Sequence, residues 1–210
     1  MAKRTRMTGA ERREQLLGIA RAVFAEKGYE ATSIEEIAER AGVTRPVVYE
    51  HFGGKEGIHA VVVDREVTRL SDLLATALRE AGSNREAAEW AAAAFLRFIE
   101  EESNGFRILT RDAPSGAGRS LASVLSDVAA RTEQLLAAAF ERRGFDPQIA
   151  PMYAQMLVGA VAQVGEWWLE VGDPPRDVVA AHIINLMWNG LGAMKPDPQL
   201  RDRGAPRPGS

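Results

Sequence analysis

The sequence contains no cysteine, so disulfides, thiolate metal sites and thiol redox sensing are excluded. Its three histidines, His51, His59 and His182, are scattered with no i, i+4 partner, which leaves a zinc site without local support. No apolar run approaches the roughly 18 residues of a membrane span. The opening stretch MAKRTRMTGAERREQ is basic but runs on into charge, where a secretory leader needs an apolar segment, so the expected location is the cytoplasm. Positive charge is not in excess either. The formal net charge is −3, and any nucleic-acid contact has to come from a local patch. Strict apolar–polar alternation never persists, which removes a sheet-based fold. Gly53-Gly54-Lys55 lacks the upstream glycine of a phosphate loop, and Glu56 stands where that loop needs serine or threonine. Gly116 and Gly118 lack the third glycine of a dinucleotide fingerprint, and no nucleophile elbow occurs. No cofactor is implied, and an enzyme has no local support.

What is present is helix. At 210 residues, 46% hydrophobic and 26% charged, the chain can bury a core in the ordinary globular way. From Arg12 to Lys27, Leu16, Ile19, Ala20 and Val23 form the stripe of an amphipathic helix that Gly28 stops. Ser33 with Glu36 three residues on predicts a capping box for a second helix, whose apolar face is Ile34, Ile37, Ala38 and Ala41. Gly42 ends it. Thr44 caps a third helix with Pro46 in its first turn, and Val43 and Val48 stand at the positions of a hydrophobic staple. Three short helices with a tight glycine turn between the last two are a helix-turn-helix signal. Val43, Val48 and Phe52 can anchor the third helix while Arg45, Pro46, Tyr49 and Glu50 share its opposite face. A plainer alternative has Tyr49 and His51 merely covering apolar neighbours.

Beyond residue 55 the helices lengthen. Stripes run from Lys55 to about Ala81, Glu86 to Glu102, Ser120 to Arg143, 147 to 171, and Asp177 to about Met194, with a short segment Phe106 to Thr110 between breakers. The domains are therefore a basic flexible arm (1–9), a helix-turn-helix unit (10–54), a larger helical part (55–194) and a Pro- and Gly-rich tail (195–210) expected to be disordered.

The stretch TSIEEIAERAGVTRPVVYEHFGGKEGI, preceded by F-A-E-K-G-Y, resembles the DNA-binding signature of the TetR family of bacterial transcriptional regulators. The match spans about residues 10 to 60, and the remainder resembles the family only in layout. The resemblance implies an all-helical homodimer that binds a palindromic operator and usually represses until a small molecule binds. It places Tyr49 and Lys55 on phosphates, the latter aided by a helix N-terminus. Thr32 and Ser33 match positions that touch phosphate, and His51 lies against the backbone. Arg45, Pro46 and Val47 fall where the third helix enters the major groove. Arg45 is the candidate for base readout, since arginine can bond guanine O6 and N7 together. Two residues depart from the family pattern. Glu35 stands where members that read bases from the second helix can carry a basic residue, and Glu50 replaces the aromatic or polar residue often found after the tyrosine. Both acids would repel phosphate unless they face bases or solvent. Lys3, Arg4 and Arg6 are either a minor-groove arm or a solvated tail.

Two expectations concern the larger part. The last helix carries a wide apolar band of Val179, Ile183, Leu186, Met187, Gly190 and Leu191. In the family the last two long helices form a dimer interface; the alternative is burial within one subunit. Gly159, Gly165 and Gly190 would permit close helix approach. Phe95, Phe98, Phe106, Met152, Met156 and Trp167, with Trp90, Arg107 and Gln155 nearby, are candidates to line an apolar cavity for a hydrophobic or aromatic effector. Plain core is the equal alternative. Three functions stay open: a ligand-released repressor, an activator or ligand-independent regulator, and an enzyme or adaptor that happens to carry such a head.

Overall fold

The computed structural model describes residues 7–111, 119–196, 198 and 199; Lys3, Arg4 and Arg6, Gly116 and Gly118, and nearly all of the tail lie outside them. Nine α-helices and no strand occur among the described residues.

Helix α1 (Gly9–Ala31) starts three residues before the apolar stripe because Thr8 and Glu11 form a reciprocal capping box: the Thr8 amide donates to Glu11 Oε2 at 2.7 Å, and the Glu11 amide donates to Thr8 Oγ1 at 3.2 Å. Gly28, at φ 80°, breaks the helical path where the sequence placed a stop. Helix α2 (Ile34–Ala41) is capped by Ser33, whose Oγ accepts from the Glu36 amide at 3.2 Å. The expected return bond is absent from this cap. Glu36 instead bonds Lys27 and Arg40, each at 2.7 Å, because two cations outcompete a neutral amide for one carboxylate. Gly42, left-handed at φ 63°, turns the chain into α3 (Arg45–Phe52). Thr44 precedes α3 without a side-chain capping bond, so Pro46 and the Val43–Val48 pair fix its entry. Val48 is fully buried, which contributes about 1.5–3 kcal/mol to seating the helix. Gly53 and Gly54, both at positive φ, lead into α4 (Lys55–Glu80). A side chain on Gly57 would collide with the Phe52 carbonyl, so only glycine lets α4 start this close to the end of α3.

The body continues with α5 (Asn84–Glu101), α6 (Ser103–Arg111), α7 (Leu121–Arg142), a 3-10 turn (Pro147–Ile149), α8 (Ala150–Val171) and α9 (Arg176–Gly192). Helix α5 lies centrally, packed on α4, α9, α6 and α8, while α7 pairs with α8 and α1 rests on α4 and α6. Gly165 makes the α5–α8 approach possible, since a Cβ there would stand 2.6 Å from Ile99 and 2.7 Å from Phe95. Gly159 and Gly190 face open space instead. One core runs from Leu16 and Phe24 through Val67, Phe98 and Phe106 to Ile183, so it spans head and body, and Phe140, Phe145 and Ala150 form a second, smaller cluster in the body.

Candidate nucleic-acid interface and inner cavity

The head exposes Arg45, Pro46, Tyr49 and Glu50 on one side of α3, as the helical spacing requires once Val48 points inward. Val47 and His51 are half-buried at the edges of that face. The Tyr49 ring braces against Gly54, where a Cβ would sit 3.4 Å from its Cε1. Lys55 starts α4, its Nζ 3.1 Å from the Glu30 carbonyl and 4.4 Å above the Tyr29 ring. The ammonium keeps further N–H donors for an anion, and the unpaired amides of the α4 N-terminus lie beside it. Ser33 is half-buried and keeps its own proton to donate, although its oxygen caps α2.

Thr32 is a correction. It is 2% exposed, and its Oγ1 donates to the Gly28 carbonyl at 2.7 Å, so its hydroxyl closes the end of α1 and does not face a phosphate. Arg13 went unnoticed in the sequence. From α1 its Nη1 donates to the His51 carbonyl at 2.8 Å, and its guanidinium lies 4.3 Å over the Phe52 ring. It satisfies a C-terminal carbonyl of α3 across 38 residues, a separation at which no local spacing rule gives a signal. Glu35, at the start of α2, pairs with Arg45 at 2.8 Å.

The body holds a partly open cavity of about 350 Å³ between α4, α5, α7, α8 and α9. Leu74, Leu78, Ala88, Ala91, Ala92, Phe95, Leu125, Val128, Leu135, Leu157, Val161, Ile184, Met187 and Leu191 are among its walls. Asn84, Thr132 and Arg143 supply polar groups, but Thr132 donates to the Val128 carbonyl at 2.8 Å and Arg143 to the Leu191 and Gly192 carbonyls at 3.0 and 3.2 Å. Among the described residues no other charged side chain lines it. Of the six residues expected there, Phe95 alone is in the wall. Phe98 and Phe106 are fully buried core, and the Phe106 ring packs edge-on against Phe95. Met152, Met156 and Trp167 are exposed on the outside of α8, because they share a stripe with Gly159 and Gln163, opposite the inward Ala154, Val161 and Ala162. Trp90 and Gln155 are also exposed, and Arg107 reaches Glu170 at 4.0 Å.

The expected dimer band divides three ways. Val179 and Ile183 are buried in their own subunit, Met187 and Leu191 line the cavity, and Leu186 and Gly190 remain on the open face. A 100° step per residue turns neighbouring members of a wide band toward different surroundings.

Where α1 packs on α4 and α6, an ion cluster surrounds the buried Glu66. Glu66 on α4, 2% exposed, accepts from Arg21 Nε at 2.7 Å and Nη2 at 3.2 Å, and pairs with Arg69 at 3.2 Å. Glu102, just after α5, bonds the same Arg21 and stands 3.3 Å from Arg69. Burial opposes the Arg21 charge, but the two carboxylates outweigh it and hold its proton more tightly than usual. Gly105 of α6 completes the seat, since a Cβ there would strike the Glu66 carboxylate. The cluster joins α1 to the body.

Residues 16–61 match the family model described as bacterial regulatory proteins, tetR family, and residues 66–190 match the tetracyclin repressor-like C-terminal domain. The chain is 33% identical over 187 residues to the HTH-type transcriptional activator FasR of Mycolicibacterium smegmatis, covering 89% of this chain and 85% of that protein. Similarity to the HTH-type transcriptional regulator AcrR of Shigella flexneri, 33% identical, is confined to 35% of this chain and 34% of that one. A TetR-like transcriptional regulator from Rhodococcus sp. RHA1 superposes with a TM-score of 0.72 at 29% identity, over 90% of this chain and 100% of that chain. No helix among the described residues is long and apolar enough to cross a membrane. Both halves of the chain match models of one family, and its relatives are transcriptional regulators, not enzymes: the chain belongs to the TetR family of bacterial transcriptional regulators.

Proposed function

We propose that the protein works as a homodimer whose two heads grip a twofold-related operator, and that a small apolar ligand in the body sets the spacing of the heads. The observation that carries this reading is the course of α4. It begins with Lys55 beside the exposed face of α3 and continues without a break to Leu74 and Leu78 in the cavity wall, about 28 and about 35 Å away at 1.5 Å per residue. A ligand that wedges α4 away from α5 moves Lys55 and the attached α3. DNA affinity changes only by as much as the ligand prefers one spacing over the other, roughly 1–3 kcal/mol for a typical coupling.

The contacts assigned to DNA are Tyr49, Lys55 and Ser33 on phosphates, with Pro46, Val47 and His51 packing along the groove edge and Arg45 reading a base. The cavity fits a body that is largely uncharged, because its one charged wall residue already donates to two carbonyls. For the dimer, the candidate seam is the exposed stripe Met152, Met156, Gly159, Trp167 and Val171 on α8 together with the exposed Val178, Leu186 and Gly190 on α9. Large apolar groups with small residues between them suit the close packing of α8 and α9 on their copies.

The leading mode is repression relieved by ligand. Activation is the second reading, favoured by the name of the FasR relative. The geometry serves both, because the sign depends on which spacing the ligand stabilises. Genome-wide footprinting of the purified protein, followed by anisotropy on the operator found, tests DNA binding. A thermal-shift screen of apolar compounds then supplies ligands, and in vitro transcription assigns the sign. Compounds that stabilise the protein but never alter operator affinity remove the switch from this reading.

A further inference from the structure

We propose that Glu35 is a positioning residue for base readout: its ion pair draws the Arg45 guanidinium toward the α2 side of the exposed face and so tunes sequence specificity without bonding DNA itself. The inference rests on Arg45 being the base-reading side chain.

Both ends of the pair spring from pinned backbone. Glu35 occupies the first turn of α2, two residues after the Ser33 cap and between the buried Ile34 and Ile37. Arg45 opens α3 next to Pro46, whose ring fixes φ, three residues before the buried Val48. Their side chains are 49% and 62% exposed and meet at 2.8 Å through Glu35 Oε1 and Arg45 Nη1. An ion pair this exposed contributes little to stability, so holding α2 against α3 is not its use. It does restrict a long, flexible side chain at the position that enters the groove. The contact uses Nη1, and the guanidinium fork keeps donors on Nε and Nη2 for the O6 and N7 of a guanine.

The same pair explains why a carboxylate is tolerated on this face. A bare Glu35 would repel phosphate and weaken binding to every sequence alike. Paired, its charge is cancelled locally and directs the arginine. The two roles predict opposite results for Glu35→Gln. Removal of a merely repelling charge strengthens binding to all duplexes and leaves discrimination untouched. Loss of a positioning residue lowers discrimination while non-specific binding stays level or rises.

The experiment measures anisotropy at several salt concentrations on the footprinted operator, on operators altered at each guanine in turn, and on a random duplex. The proteins are wild type, Glu35→Gln, Arg45→Ala and the double variant, all with thermal melts to show that the exposed substitutions leave the fold intact. Arg45→Ala is expected to remove roughly 5- to 150-fold of discrimination at one guanine. Glu35→Gln is expected to lose roughly two- to tenfold at that same guanine, the equivalent of immobilising one long side chain. In the Arg45→Ala background it should lose nothing more. Equal strengthening on operator and random duplexes, with discrimination intact, would overturn the role of Glu35 while the base reader stands. Unchanged discrimination in Arg45→Ala would overturn the base reader and the inference together.

Discussion

Tyr49 on α3 and Leu186 on α9 are both large and both turned to solvent, 53% and 75% exposed, yet they sit on surfaces of opposite kinds. Tyr49 carries a hydroxyl at its tip and is braced by Gly54, in a head where short helices are pinned by Ser33, Gly42 and Val48. Leu186 has no polar atom to offer, and α8 and α9 expose further large apolar groups such as Met156, Trp167 and Val178. The head closes its interior and presents polar groups to a charged partner. The body leaves its interior open and presents apolar groups outward. Under the proposed function, the difference implies that DNA affinity would depend on salt and single side chains, whereas dimerisation and a ligand response would depend on shape and burial.

The largest effect is expected from Leu186→Asp, which would bury an unpaired charge if α9 meets its copy. The monomer would hold one half-site and lose roughly 10²- to 10⁴-fold in operator affinity. Sedimentation velocity checks this, and an unaltered dimer would take α9 out of the seam. Next comes Arg21→Ala, which leaves the buried Glu66 with Arg69 as its remaining ion-pair partner among the described residues and costs about 3 kcal/mol in urea unfolding. A loss near zero would mean that head and body do not depend on that cluster.

Smaller changes separate the two regions more finely. Ala92→Trp fills the cavity wall at a cost of about 1–3 kcal/mol and should abolish thermal shifts by apolar ligands while operator affinity holds. Lys55→Ala should do the converse, weakening all duplexes alike and lowering the salt slope by about one unit with ligand binding unchanged. The smallest effect is acid. The Lys27 ammonium beside Glu36, and Arg40 beside Glu26, hold those carboxyls below their ordinary value of 4.5. A depressed folded pKa means that the links between α1 and α2 contribute above pH 4.5 and are lost as pH falls through the lower, folded value. Amide exchange in α2 should therefore rise below pH 4.5 before exchange in α8 does.

The head was largely legible because its signals are local. Ser33, Gly42, Pro46 and the Val43–Val48 pair act within a few residues of one another, and each helix falls where they place it. Thr32 misled because a threonine at a helix start reads as exposed until Gly28 bends the chain and offers its carbonyl. In the body, helical stripes located each helix to within a few residues but not which neighbour each stripe meets. Met152, Met156 and Trp167 have the composition of a cavity wall and lie outside, while the small Ala88, Ala91 and Ala92 lie inside. Alanine makes room by what it lacks, and a sequence gives no direct sign of empty volume.

By itself the sequence determined the helical class, the order and nearly the length of the helices, and the face of α3 that meets solvent, because periodicity and capping act over three or four residues. Tertiary structure alone decided the site of the cavity, the division of the α9 band between core, cavity and open face, and the partners Arg13–His51, Arg21–Glu66 and Glu35–Arg45. Those depend on which helices become neighbours, and contacts between residues 10 to 45 positions apart carry no local signature.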